Sequence, residues 1–160
     1  MRVATLENNE KIIKEVQYLK TIGKNLVFTN GCFDLLHVGH LRYLGEAKKL
    51  GDVLVIGLNS DASVKRLKGD KRPIMSQEKR KELLLGLKPV DYVIIFDEDT
   101  PVSLIEKIKP QLFVKGGDYN ASKIVEVPVV KSYGGEFKIL PFVQDSSTTN
   151  VVETILSRYK

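Results

Sequence analysis

Over residues 8–20, Ile12, Ile13, Val16 and Leu19 recur at helical spacing with polar positions between them. That pattern predicts an amphipathic N-terminal helix with Gly23 as its C-cap, packed on the body of the protein. The run Leu26-Val27-Phe28-Thr29 then reads as a short buried strand, entering a loop from Asn30 to Asp34. From about Val38 to Leu50, residues Leu41, Leu44, Ala47 and Leu50 share one helical face, and Gly51 stops the helix. The near-continuous apolar run Asp52 to Leu58 predicts a second strand, after which Ser60 or Asp61 can cap a short helix leading into a basic block.

The alternation continues. Ser76-Gln77-Glu78 opens a helix through Leu87, and Tyr92 to Phe96 is a strand. Thr100 as N-cap and Pro101 at the first position start a helix to Ile108. Leu112 to Val114 is a strand, Pro128 to Tyr133 a short helix closed by Gly134-Gly135, and Phe137 to Leu140 a strand. A last helix spans about Thr149 to Arg158. Apolar strands alternating with amphipathic helices predict an α/β fold, a doubly wound, Rossmann-like parallel sheet of about five strands in one domain. The expected division is an N-terminal helix over 1–24 and the main domain over 25–160. Ligands of such sheets bind beyond the carboxyl ends of the strands.

Composition narrows the setting. With 160 residues and 42% hydrophobic content, the chain suits one ordinary core. The single cysteine, Cys32, excludes an internal disulfide framework and fits a reducing compartment. Neither a signal peptide nor a membrane-spanning run is present, so a cytoplasmic protein without membrane contacts is expected. The net charge of +5 is compatible with nucleic acid, membrane surface or phosphorylated small molecules. The one dense basic block, Lys65 to Arg72, lacks interleaved aromatics for stacking bases. It is either a solvated loop or a loop that gathers phosphate.

Both histidines of the chain lie in the segment Thr29-Asn30-Gly31-Cys32-Phe33-Asp34-Leu35-Leu36-His37-Val38-Gly39-His40, where the first strand gives way to a helix. A helix N-terminus offers free N–H groups and a positive dipole end to phosphate. Gly39 permits close approach of a nucleotide, and two imidazoles three residues apart can donate to phosphate oxygens. Two other readings compete here. A histidine at a helix start can simply be a polar capping residue, and Cys32, Asp34, His37 and His40 could together ligate zinc. A nucleic-acid-binding module is a third, although no reader motif is found. The chain has no Walker loop and no G-x-G-x-x-G.

The H-x-G-H segment preceded by G-C-F-D resembles the HxGH nucleotidylyltransferase superfamily, specifically its cytidylyltransferase-like branch. Three more motifs stand in the same order: Arg80 in S-Q-E-K-R, the loop Val114-Lys115-Gly116-Gly117-Asp118-Tyr119, and Ser147-Thr148-Thr149-Asn150 at the last helix. Within the branch, these motifs and the segment Asn59 to Gly69 are most similar to the D-glycero-β-D-manno-heptose 1-phosphate adenylyltransferases. Those enzymes are often the C-terminal domain of a bifunctional heptose kinase/adenylyltransferase, so a separate heptose kinase would serve this chain. The resemblance implies an enzyme of a defined type: AMP passes from ATP to a sugar 1-phosphate, giving ADP-heptose for lipopolysaccharide core precursors and releasing pyrophosphate.

The resemblance also implies roles. His37 and His40 would bind the triphosphate and stabilise the transition state. Thr29 and Asn30 would place the α-phosphate, with Gly31, Cys32, Phe33 and Gly39 beside the nucleotide. Ser147 and Thr148 would hold the outer phosphates, and Lys115, Gly116, Gly117 and Asp118 would line the nucleoside side. Lys68, with Lys65 and Arg66, would neutralise phosphate from a mobile loop, and Arg80 would grip the sugar phosphate. A magnesium ion (Mg2+) would arrive with ATP; Asp34 is a candidate ligand, or it orients histidine or backbone groups. A homodimer is expected. Glycerol-3-phosphate cytidylyltransferases, an alternative within the branch, carry R-T-E-G-I-S-T-T before the last helix, where this chain has Phe142 and Gln144 in place of the arginine and glutamate. They also carry a G-D-D-W-like loop in place of Gly116 to Tyr119. Both departures favour adenine over cytosine.

Overall fold

The computed structural model describes residues 8–117, 120–141 and 147–159. Seven helices and five strands alternate along them: α1 (Asn9–Thr21), β1 (Leu26–Gly31), α2 (Val38–Lys48), β2 (Val53–Asn59), α3 (Asp61–Lys68), α4 (Gln77–Leu85), β3 (Tyr92–Phe96), α5 (Val102–Ile108), β4 (Leu112–Gly116), α6 (Glu126–Ser132), β5 (Glu136–Leu140) and α7 (Thr148–Arg158), with a single 3-10 turn at Ala121–Lys123. The strands form one parallel sheet in the order β3-β2-β1-β4-β5. The expected doubly wound sheet is therefore present, with five strands.

The pleat explains its two cores. Successive side chains of a strand point to opposite faces. In β1 and β2, Leu26, Phe28, Val53 and Val55 enter one core, while Val27, Leu54, Ile56 and Leu58 enter the other. The first core is covered by α1, α5 and α6 through Ile12, Val16, Leu104, Ile105, Ile108, Val127 and Val130. The second is covered by α2 and α4 through Tyr43, Leu44, Ala47 and Leu84. The N-terminal helix is thus part of the fold, with Val16 fully buried.

Most elements match the expected ones within two residues, and the departures have local causes. Thr100 is not the N-cap of α5, because Pro101 takes that place and the helix starts at Val102. Asn8 caps α1 by accepting from the Glu10 N–H, and Ile22 rather than Gly23 is the C-cap, with Gly23 next at φ 83°. Helix α6 begins two residues before Pro128, which has no N–H to give and so is tolerated in a first turn. Strand β4 runs on to Gly116, paired with Leu140 of β5.

The largest difference concerns the basic block. Ser60 Oγ accepts from the Ser63 N–H, and the helix so started continues through Lys65, Arg66 and Lys68 to Gly69, at φ 94°. These three cations stand on a short helix and not on a loop.

The chain runs outward from β1 through β2 to β3, then returns to β4 on the other side. The crevice beyond β1 and β4 is the place where helices leave in opposite directions, and it is where open α/β sheets hold ligands.

Candidate active site

A cavity of about 800 Å³ opens at that crevice. Its centre is built by the β1–α2 segment, with Asn30, Gly31, Cys32, Phe33, Asp34 and His40 on the wall. The β2 side adds Asn59, Lys68, Arg72 and Thr100, and the β4 side adds Lys115, Gly116, Lys123 and Glu126, with Thr148 and Thr149 from α7. A volume of this order suits a nucleotide-sized ligand.

His37 is the N-cap of α2, and its ring stacks on His40 with centroids 3.8 Å apart. His40 Nδ1 accepts from the His37 N–H at 3.4 Å. A nitrogen that accepts carries no proton in the neutral ring, so the proton resides on Nε2, which becomes the donor. Phe33, held at φ 45°, packs its ring 5.2 Å from His40. Burial pushes the pKa of both imidazoles down, and in His40 the neighbouring His37 adds to it, giving about 4. His40 is the histidine that lines the cavity, and His37 stacks against it with its Nδ1 buried and unbonded.

This depressed value makes stability pH-dependent. The unfolded chain, with a histidine near pKa 6.5, takes up the proton first as pH falls. The stabilising contribution is whole above that value and is lost as pH drops through the window down to about 4. Between pH 7 and pH 5 the wild type is expected to lose on the order of 1 kcal/mol more stability than His40→Gln. Urea unfolding of both proteins at the two pH values measures it, and equal losses would refute the assignment.

Asp34 does not have the free carboxylate that a metal ligand needs. It is 2% exposed and accepts from the Ile74 N–H (2.8 and 3.0 Å) and the Met75 N–H (3.0 Å), with the Arg72 guanidinium 2.6 Å away. Orienting backbone, the second expectation for this residue, is what it does. The zinc reading fares no better: among the described residues, no three His, Cys, Asp or Glu side chains gather as a metal site. Cys32 is held as a thiol, because burial raises its pKa.

Arg80 is also placed differently from expectation. Its side chain is fully buried and does not reach the cavity. Its Nε donates to the Met75 carbonyl, Nη1 to the carbonyls of Cys32 and Asn59, and Nη2 to the Asp61 carboxylate, all within 2.9 Å. The guanidinium therefore ties the β1–α2 segment, the end of β2 and the start of α3 together beneath the site.

Thr29 is likewise withdrawn: it is 1% exposed and its hydroxyl bonds Tyr43 Oη at 2.6 Å, which in turn donates to the Val114 carbonyl. Asn30, by contrast, reaches the cavity with Oδ1 buried and unbonded. Ser147 spends its hydroxyl accepting from the Asn150 N–H as the cap of α7, and the Thr148 hydroxyl donates to the Leu35 carbonyl at 3.3 Å. Gly116 is required by packing, since a Cβ there would meet the Tyr43 ring at 2.9 Å. Gly39 is buried within the first turn of α2, and Gly117 adopts φ 117°. Asp118, Tyr119, Phe142 and Gln144, on which the adenine expectation rested, lie outside the described residues.

The three cations of α3 separate by helical phase. Arg66 bonds the Asp99 carboxylate at 2.9 Å and the Asp97 carbonyl, and Lys65 stands 3.6 Å from Asp70. Lys68 faces the cavity, together with Arg72 from the following segment. Arg72 and Glu126 were not foreseen. Arg72 lay inside the conspicuous basic block, whereas Glu126 had no sequence signal at all. Lys68→Ala is expected to raise the KM for the nucleotide about tenfold, and Arg66→Ala is expected to leave it unchanged. Steady-state kinetics on the two variants tests this, and the opposite ranking would overturn the assignment.

The family model described as cytidylyltransferase-like matches residues 28–154. The chain is 53% identical, over 98% of its length, to the bifunctional protein HldE of Geobacter metallireducens. It is 54% identical over 86% of its length to the protein of the same name from Syntrophotalea carbinolica. It spans only about a third of the length of these curated relatives, 32% and 28%. Among solved structures, a lipopolysaccharide core biosynthesis protein from Thermoplasma volcanium is similar at a TM-score of 0.64 and 31% identity, over 78% of this chain and all of that one. No helix among the described residues is long and apolar enough to cross a membrane.

Proposed function

Because the chain belongs to the cytidylyltransferase-like family, we propose that it is an adenylyltransferase acting on ATP and D-glycero-β-D-manno-heptose 1-phosphate. The products are ADP-heptose and pyrophosphate. The observation that carries this reading is the nucleotide-sized cavity at the β1–β4 crevice, with the His40 imidazole on one wall and Lys68 and Arg72 on another. The similarity to the HldE proteins and to a lipopolysaccharide core biosynthesis protein supports the sugar phosphate as acceptor.

A phosphate oxygen of the sugar attacks the α-phosphorus of ATP, and the bond from that phosphorus to the bridging oxygen breaks as pyrophosphate leaves. The attacking group is already an anion, so neither a nucleophilic side chain nor a strong base is needed. Catalysis is positioning and charge stabilisation. His40 donates from Nε2 to the triphosphate, and the stacked His37 fixes its orientation. The N–H groups at the start of α2 face the same phosphates. Lys68 and Arg72 offset the charge of the transferring and leaving groups.

A magnesium ion bound to the triphosphate would shield its charge. Asp34 is engaged with Arg72 and backbone N–H groups, so such an ion would be held by the phosphate oxygens of the nucleotide that carries it in. The enzyme acts in the cytoplasm, as a homodimer, and receives its substrate from a heptose kinase.

Base choice rests on Phe142 and Gln144 standing where cytidylyl relatives carry arginine and glutamate. A site lacking the donors for one base discriminates strongly against it. ATP is expected to exceed CTP by about tenfold or more in kcat/KM with heptose 1-phosphate as acceptor. Pyrophosphate release from each NTP with heptose 1-phosphate and with glycerol 3-phosphate measures both preferences. A preference for CTP and glycerol 3-phosphate would replace this reading with the cytidylyl one.

A further inference from the structure

Glu126 is a buried carboxylate that the mechanism above does not use. It is 4% exposed, at the first position of α6, and it lines the cavity on the β4 side. One oxygen, Oε1, accepts from Lys115 Nζ at 3.3 Å. Buried carboxylates are costly unless their oxygens are paired. Here one ion pair serves the group, and the carboxylate borders a nucleotide-sized space.

A carboxylate is an acceptor only, and it repels phosphate. The part of a nucleotide beside it must therefore be neutral and rich in donors. Lys68, Arg72 and His40 stand toward β2 and the centre, which leaves the Lys115–Glu126 corner for the other end of the ligand. We propose that Glu126, held in place by Lys115, is a nucleoside-recognition residue that accepts a hydrogen bond from a neutral donor of the bound nucleoside. Two groups have this chemistry: a ribose hydroxyl and the exocyclic amine of the base. The inference rests on ATP being the nucleotide.

The test is equilibrium binding of ATP, 2′-deoxy-ATP, 3′-deoxy-ATP and ITP to the wild type and to Glu126→Gln, by calorimetry. Glutamine keeps the shape and leaves an oxygen for Lys115, and its thermal unfolding is compared with that of the wild type to verify folding. The wild type is expected to bind one of the three analogues about tenfold more weakly than ATP, the scale of a hydrogen bond to a charged acceptor. In Glu126→Gln that ratio is expected to fall toward one. Collapse with a deoxy analogue identifies the ribose hydroxyl, and collapse with ITP identifies the amine. Ratios that are unchanged by the substitution, or absent in the wild type, overturn the role of Glu126 while leaving ATP as the nucleotide. If ATP itself does not bind to the wild type, the adenylyltransferase reading falls first.

Discussion

His40→Ala is expected to lower kcat by about a hundredfold or more, with little change in folding at neutral pH. The reason lies in what the ring does in the structure. Its Nδ1 is occupied by the His37 N–H, so the proton on Nε2 is fixed as a donor without any reorganisation. Burial and the neighbouring His37 lower its pKa to about 4, so the ring is neutral near pH 7 and offers a hydrogen bond instead of a standing charge. In the proposed reaction, charge grows on the phosphoryl oxygens as pyrophosphate departs, and a donor set in place beforehand contributes most at that moment. His37→Ala is expected to shift kcat in the same direction, because removing the stacked ring at 3.8 Å frees His40 to turn. Single-turnover kinetics with urea unfolding as a control separates chemistry from folding. Turnover like that of the wild type in His40→Ala would remove the imidazole from the mechanism.

Arg80→Ala should act on the fold. The guanidinium satisfies three backbone carbonyls and the Asp61 carboxylate from a fully buried position. Each buried acceptor left without a partner costs about 1–3 kcal/mol. A total loss of roughly 3–5 kcal/mol is expected once the site relaxes, because three carbonyls lose their donor while the half-exposed Asp61 carboxylate can turn to water. For a chain of this size that lowers Tm by about 10 °C or more. Arg80→Lys is expected to recover little of it, since one ammonium cannot reach groups that a planar fork spans. Denaturant unfolding of both variants is the measurement. An alanine variant as stable as the wild type, with only a raised KM for the sugar phosphate, would return Arg80 to direct contact with substrate.

These two residues also show what could be read in the sequence. The H-x-G-H segment was legible because its chemistry is local: two imidazoles and a small residue within one helical turn, at a strand end that the apolar run Leu26 to Thr29 had already marked. The strand and helix order was legible for a similar reason. Apolar periodicity records which positions are buried, and strands buried on both faces admit few arrangements other than a parallel sheet with helices on each side.

Roles that depend on where a side chain ends could not be read in this way. An arginine in S-Q-E-K-R is equally suited to binding phosphate or to tying three segments together. Only the meeting of Cys32, Asn59 and Met75 around Arg80 selects the second. The same holds for Asp34, whose carboxylate is consumed by residues 72–75, and for Thr29, whose hydroxyl is consumed by Tyr43. In the basic block, composition announced a cluster of cations, but the phase of α3 sends Arg66 to Asp97 and Asp99 and turns Lys68 to the cavity. Glu126 gains its position from α6, a helix with no motif of its own that packs against α5 and β5 and brings the carboxylate to Lys115 at the end of β4. The sheet, the crevice and the histidine pair were legible in the chain alone, because burial period and local spacing are properties of short stretches. Which polar groups remain available to a ligand was not, because hydrogen bonds between distant segments set that and form only in the folded protein.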